Sequence, residues 1–128
     1  MQFKSLVPSL DVTNVDESIK FYKDALGFSV QERMSWNGET GWALLKVGRV
    51  GLMLNARDYE LNAPTAPQFG GVFFFYSNNL EKLHEELTDK GYPVSNMQSI
   101  QSGIKEFYLC DPDGYVFWFT LENLDSLY

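Results

Sequence analysis

The chain is poor in groups that do covalent or metal chemistry and rich in aromatic rings. Among its 128 residues are one histidine, His84, and one cysteine, Cys110. Nucleophilic catalysis by a Ser-His or Cys-His pair needs a base within reach of the nucleophile, and no second histidine exists. Cys110 directly precedes the turn Asp111-Pro112-Asp113-Gly114, and small buried packing is its expected role. A lone cysteine makes no intrachain disulfide. His84 lies in the run Glu81-Lys82-Leu83-His84-Glu85-Glu86, on the side of a helix away from Leu80, Leu83 and Leu87. That position predicts a solvated surface histidine. A metal shared with Glu81 or Glu85 is the alternative, and nothing else in the sequence supports it. What remains is ten Phe, seven Tyr and three Trp, which offer stacking and cation–π contacts.

The elements that must position these groups follow from periodicity. Leu6 to Val12 predicts a short strand, with Leu10 and Val12 alternating against Ser9 and Asp11. Val15 to Leu26 predicts a helix with Val15, Ile19, Tyr22 and Leu26 on one stripe. Strands are expected over Phe28 to Met34, Gly41 to Val47 and Val50 to Leu54, with a polar turn from Ser35 to Thr40 and a hairpin at Gly48-Arg49. Arg57 to Phe69, with Pro64 and Pro67, reads as a linker, and Gly70-Gly71 as a flexible strand entry rather than a phosphate cradle, since no helix follows it. Val72 to Tyr76 predicts a strand buried on both faces. A helix from about Asn79 to Lys90 and strands at Val94 to Met97, Ile104 to Cys110 and Tyr115 to Thr120 complete the chain.

This order is one unit written twice. Asn14 falls under Asn78 at a shift of 64, and Glu17 then falls under Glu81 and Gly27 under Gly91. Each copy thus reads as an N-cap, a capping-box Glu and a closing glycine. Further on the shift becomes 65: Trp42 under Phe107, Leu44 under Leu109, Val50 under Tyr115, Leu52 under Phe117, Leu54 under Phe119. The expected fold is α+β, a single domain over residues 1–128. Two tandem βαβββ modules, 4–58 and 69–122, form a curved mixed sheet around a central cleft.

The run Val12-Thr13-Asn14-Val15-Asp16-Glu17-Ser18-Ile19-Lys20-Phe21-Tyr22, followed by Leu26-Gly27-Phe28, resembles the opening of vicinal-oxygen-chelate proteins. These include glyoxalase I, extradiol dioxygenases, and fosfomycin- and bleomycin-resistance proteins. Asp111-Pro112-Asp113-Gly114 with its alternating strand is similar to the closing motif of the same family. The resemblance implies four metal-ligand positions in enzymes of this fold, two per copy. They correspond to Val7 and Met53 in the first copy, and to Val72 (or Gly71) and Trp118 in the second. None is a donor for a hard or borderline divalent metal, and a Met thioether suits only Cu(I). No metal and no other cofactor is therefore expected.

Strand alternation predicts which residues face the cleft. They are Val7, Ser9 and Asp11 with Met53 and Asn55 in the first copy. In the second they are Val72, Phe74 and Tyr76, Glu106 and Tyr108, and Val116, Trp118 and Thr120, while Phe107, Leu109, Phe117 and Phe119 go to the core. Trp36, in Ser-Trp-Asn-Gly-Glu, and Trp42 stand near the cleft mouth or at a dimer contact. The expected ligand-binding set is Ser9, Asp11, Trp36, Met53, Asn55, Phe74, Tyr76, Glu106, Tyr108 and Trp118. Aromatic faces beside acids favour a small aromatic or cationic guest. By resemblance, that is a bleomycin-resistance-type protein that sequesters a drug without altering it. A metal-dependent lyase, isomerase or dioxygenase of the same fold, and a sensor or accessory protein, are the rival classes.

Net charge is −7, from 17 acids and 10 bases with no basic cluster, which argues against nucleic acid and anionic membrane surfaces. No stretch reaches the roughly 18 apolar residues of a membrane span. Met1-Gln2-Phe3-Lys4-Ser5 has no long apolar region behind it, so no signal peptide and a cytoplasmic location are expected. A homodimer is expected as well, because small curved sheets leave edges exposed.

Overall fold

The computed structural model describes residues 2–57, 72–99 and 105–121. The elements run β1 (Ser9–Val12), α1 (Val15–Leu26), β2 (Ser29–Trp36), β3 (Glu39–Val47), β4 (Val50–Ala56), β5 (Val72–Ser77), α2 (Leu80–Asp89), β6 (Gln98–Ser99), β7 (Lys105–Cys110) and β8 (Val116–Leu121). This is the α+β, twice-written βαβββ order expected. The strands fall into two four-stranded mixed sheets, ordered β1-β4-β3-β2 and β5-β8-β7-β6. The chain divides into two compact units, Met1–Gln68 and Phe69–Tyr128. Residues 58–69 of the expected linker lie outside the described residues, as do Gly70, Gly71 and Ile104.

In the first unit α1 starts where the Asn14 side chain accepts from the Glu17 N–H at 3.0 Å. It ends at Gly27, whose φ of 77° closes the helix with its N–H on the Lys23 carbonyl. The stripe Val15, Ile19, Tyr22 and Ala25 packs on Leu10, Val12, Ala43, Leu45, Leu52 and Leu54, all buried. β2 and β3 run longer than expected. The turn between them shrinks to Asn37-Gly38, both at positive φ (51° and 78°), which suits the right-handed twist of a tight hairpin.

The second unit is built on stacked rings. Phe107, Phe117 and Phe119 are buried against α2 with Leu80 and Leu87. Phe119 lies 5.4 Å from Phe75 and 5.0 Å from Phe107. β5 is not buried on both faces: Phe73 and Phe75 pack on Phe117, whereas Val72, Phe74 and Tyr76 stand 47%, 49% and 51% exposed. The segment Val94 to Met97 forms no strand. Ser95 pins it to β7 instead, its N–H donating to the Tyr108 carbonyl at 2.9 Å and its Oγ accepting from the Tyr108 N–H at 2.8 Å.

The repeat survives with its offsets rearranged. The cap of α2 is Asn79, accepting from Lys82 N–H at 3.2 Å, so Asn14 matches Asn79 rather than Asn78 and Glu81 is no capping-box partner. Glu81 instead pairs with Lys105 at 3.3 Å. Leu44 lies opposite Met53, and Tyr108 opposite Trp118. With Met53 under Trp118, β3 therefore matches β7 at a shift of 64, not 65. Trp42 then corresponds to Glu106 rather than to the buried Phe107. The shorter α2 loses one residue, and the loop around Asp111-Pro112-Asp113-Gly114 regains it.

Candidate functional site

Each unit has one sheet face against its helix and one away from it, and the chemistry collects on the second. In the second unit this face is laid out in cross-strand rungs. Phe74, Trp118 and Tyr108 form one rung; Tyr76, Thr120 and Glu106 form the next. Phe74 and Trp118 have centroids 6.3 Å apart and planes 17° from parallel, and Tyr108 meets Trp118 at 5.0 Å and 55°. Phe74 is about half exposed and Tyr108 is 36% exposed, so the rung is a continuous apolar platform open to solvent in this chain. Parity on β8 explains it: Phe117 and Phe119 turn to the helix, which leaves Trp118 on the far side.

The platform has a stiff foundation. Asp111 accepts the N–H groups of Asp113 and Tyr115 on one carboxylate oxygen, both at 2.9 Å, while its backbone pairs with Tyr115 and Gly114. This closes the turn that sets β8 against β7. His84 is not a solvated surface residue. Its ring packs edge-on against Phe107 at 4.8 Å and its Nε2 lies 2.9 Å from the Ser95 carbonyl. A carbonyl can only accept, so Nε2 carries the proton. The same Ser95 holds Tyr108, and the histidine thus supports the platform through the backbone. Cys110 is exposed rather than buried, because it shares the face of Tyr108 and Glu106 on β7.

The matching face of the first unit is more polar. Ser9, Met53 and Leu44 make one rung; Asp11, Asn55, Trp42 and Met34 make the next. Asn55 Nδ2 donates to Asp11 Oδ1 at 3.4 Å and to the Ala56 carbonyl at 3.2 Å. Both neighbours are acceptors, which fixes the amide's orientation and leaves Asn55 Oδ1 buried without a partner. Trp36 joins neither rung. It lines a groove of about 300 Å³ beside the start of α1, with Asn14, Asp16, Glu17, Lys20 and Thr40.

Four of the expected residues, Ser9, Asp11, Met53 and Asn55, thus share one face, and Phe74, Tyr76, Glu106, Tyr108 and Trp118 share another. Sequence reasoning did not assign Trp42, Leu44 and Met34 to the first face. The usable signal was loop length: a two-residue hairpin after β3 against a longer loop after β7 requires different offsets on either side.

The four positions where the resemblance implies metal ligands do not fit a metal. Val7 packs on Gly51 so closely that a Cβ there would lie 3.3 Å from Val7 Cγ2. Met53 and Val72 offer no oxygen or nitrogen donor, and Trp118 is flanked by Phe74 and Tyr108. Gly71 lies outside the described residues. Among the described residues no group of three or more His, Cys, Asp or Glu could hold a metal ion. Nor is any helix among them long and apolar enough to cross a membrane.

With two βαβββ units and this face chemistry, the chain belongs to the Glyoxalase/Bleomycin resistance protein/Dioxygenase superfamily, whose family model matches residues 7–119. Among solved structures it is similar to TioX from Micromonospora sp. ML1, with a TM-score of 0.82 at 17% identity, over 94% of this chain and 100% of that one. It is similar to a bleomycin-binding protein complexed with bleomycin, with a TM-score of 0.70 at 20% identity, over 94% and 100%. A lactoylglutathione lyase from Agrobacterium tumefaciens gives 0.73 at 20% identity, over 94% and 96%. No curated protein sequence matches significantly. At these identities the structural likenesses establish the fold alone.

Proposed function

We propose that this protein binds a small planar aromatic or cationic molecule without a metal or other cofactor, and acts by sequestering it rather than transforming it. The observation that carries this reading is the solvent-open rung Phe74–Trp118–Tyr108. Three adjoining rings on a sheet face bury much apolar area against a flat guest and fix its orientation. Tyr76 and Glu106 on the next rung, with Ser9, Asp11, Met53 and Asn55 on the first unit, supply the polar and soft contacts of the proposal. Trp36 would contribute from its own groove. The similarity to a protein solved with bleomycin supports a drug-binding, antibiotic-resistance role. The protein would work as a cytoplasmic homodimer, with neither nucleic acid nor membrane as partner.

The similarity to a lactoylglutathione lyase keeps a second reading, a metal-dependent lyase, isomerase or dioxygenase of this fold. One experiment separates them. Protein purified without an affinity tag is expected to contain far less than one equivalent of any transition metal, and to bind bleomycin with a change in indole emission. Near-stoichiometric Ni, Zn, Mn or Fe that resists mild chelation refutes the metal-free reading.

A further inference from the structure

Glu106 is a half-buried carboxylate left alone. Removing a charge from water without a compensating partner is costly, so such groups ordinarily sit beside a cation or several donors. Two other acids withdrawn from solvent, Asp11 and Asp111, show this. Asp111 takes two backbone N–H groups, and Asp11 takes Asn55. The Glu106 side chain makes neither an ion pair nor a hydrogen bond among the described residues. Its chain neighbour Lys105 is committed to Glu81 of α2, on the helix side of the sheet. Across the strands stand Thr120, whose hydroxyl donates to the Lys105 carbonyl at 3.4 Å, and Gln98, which is uncharged.

Nothing within this unit's described residues supplies the missing cation, and the position of Glu106 says where one would come from. It is two residues from Tyr108 on β7, on the same face and one rung from Trp118. Two residues of strand span roughly 7 Å. Tyr76 shares its rung and is about half exposed, so its ring can face the same charge. We infer that Glu106 selects the guest's charge: the ligand of the Phe74–Trp118–Tyr108 platform carries a positive group roughly 7 Å along the strands from its stacked ring. This rests on the platform being a binding surface, and it adds the placement and sign of the charge.

The test uses the full chain and 2-naphthyl-alkyl-trimethylammonium probes of increasing spacer length, each beside its neutral carbon isostere, titrated by calorimetry. Wild-type protein should prefer the cation by about fivefold, the scale of a partly exposed ion pair, and lose that preference as salt rises. Affinity should peak at the spacer placing nitrogen roughly 7 Å from the ring centre. Glu106→Gln should bind cation and isostere equally and flatten the salt dependence. A cation preference that survives in Glu106→Gln, or none in wild-type protein that binds both probes, overturns the inference while the platform stands. Failure of every probe to bind removes the platform reading, and this inference with it.

Discussion

Neighbouring residues of β8 should fail in different ways when truncated. Phe119 is 2% exposed and its ring lies against Phe75 and Phe107. Phe→Ala in such a site costs about 3–5 kcal/mol through lost burial and the cavity left behind. With an unfolding entropy of about 2.1 cal/mol/K per residue, a chain of 128 residues loses about 11–19 °C in Tm. Trp118 touches Phe74 and Tyr108 but is only partly buried, so Trp118→Ala should cost about 1–2 kcal/mol, or about 4–7 °C. Binding should show the reverse order. Loss of the central ring should weaken bleomycin tenfold or more, about 1.4 kcal/mol. Phe119→Ala, measured well below its own Tm, should keep most of its affinity. Scanning calorimetry and isothermal titration on both variants read the two quantities separately. If Trp118→Ala melts as early as Phe119→Ala, or binds bleomycin as wild type does, the ring belongs to the core or is idle, and the division of β8 into a structural and a binding face is wrong.

Two further outcomes are expected. Asp111→Ala removes the acceptor of two backbone N–H groups and should lower stability by about 2–4 kcal/mol in denaturant melts, whereas Asp111→Asn, which keeps an oxygen in that place, should cost less than half as much. Equal losses would show that charge, not hydrogen bonding, holds the turn. Light scattering at tens of micromolar should report a dimer, because Val72, Phe74 and Tyr76 leave the edge strand β5 half exposed and apolar. Trp42 is a further candidate for that contact from the sequence. A monomer at that concentration counts against the assembly.

The sequence by itself determined the twice-written βαβββ order, both helices and the inward and outward parity of β8. These are local matters: an Asn cap, an αL glycine and a two-residue period are set by backbone geometry within a few residues. Parity alone sorted Phe117 and Phe119 from Trp118, and therefore located the platform. What it could not decide was register between strands. Trp42 sits in the apolar run Gly41-Trp42-Ala43-Leu44-Leu45, where no alternation marks a face, and an offset carried over from β4 matches it to the core residue Phe107 while its bulk alone suggests a cleft mouth or a dimer contact. Only the pairing of Trp42 with Asn55 put it on the open face, since a one-residue slip exchanges every side chain between faces. The settings of His84 and Cys110 are not legible in the sequence for a related reason. Their surroundings, Ser95 and Phe107 for one and the open face of β7 for the other, are made by residues far apart in the chain. The solitude of Glu106 is likewise tertiary, because whether a charge has a partner depends on where Lys105 and Thr120 turn once the sheet and helix have packed.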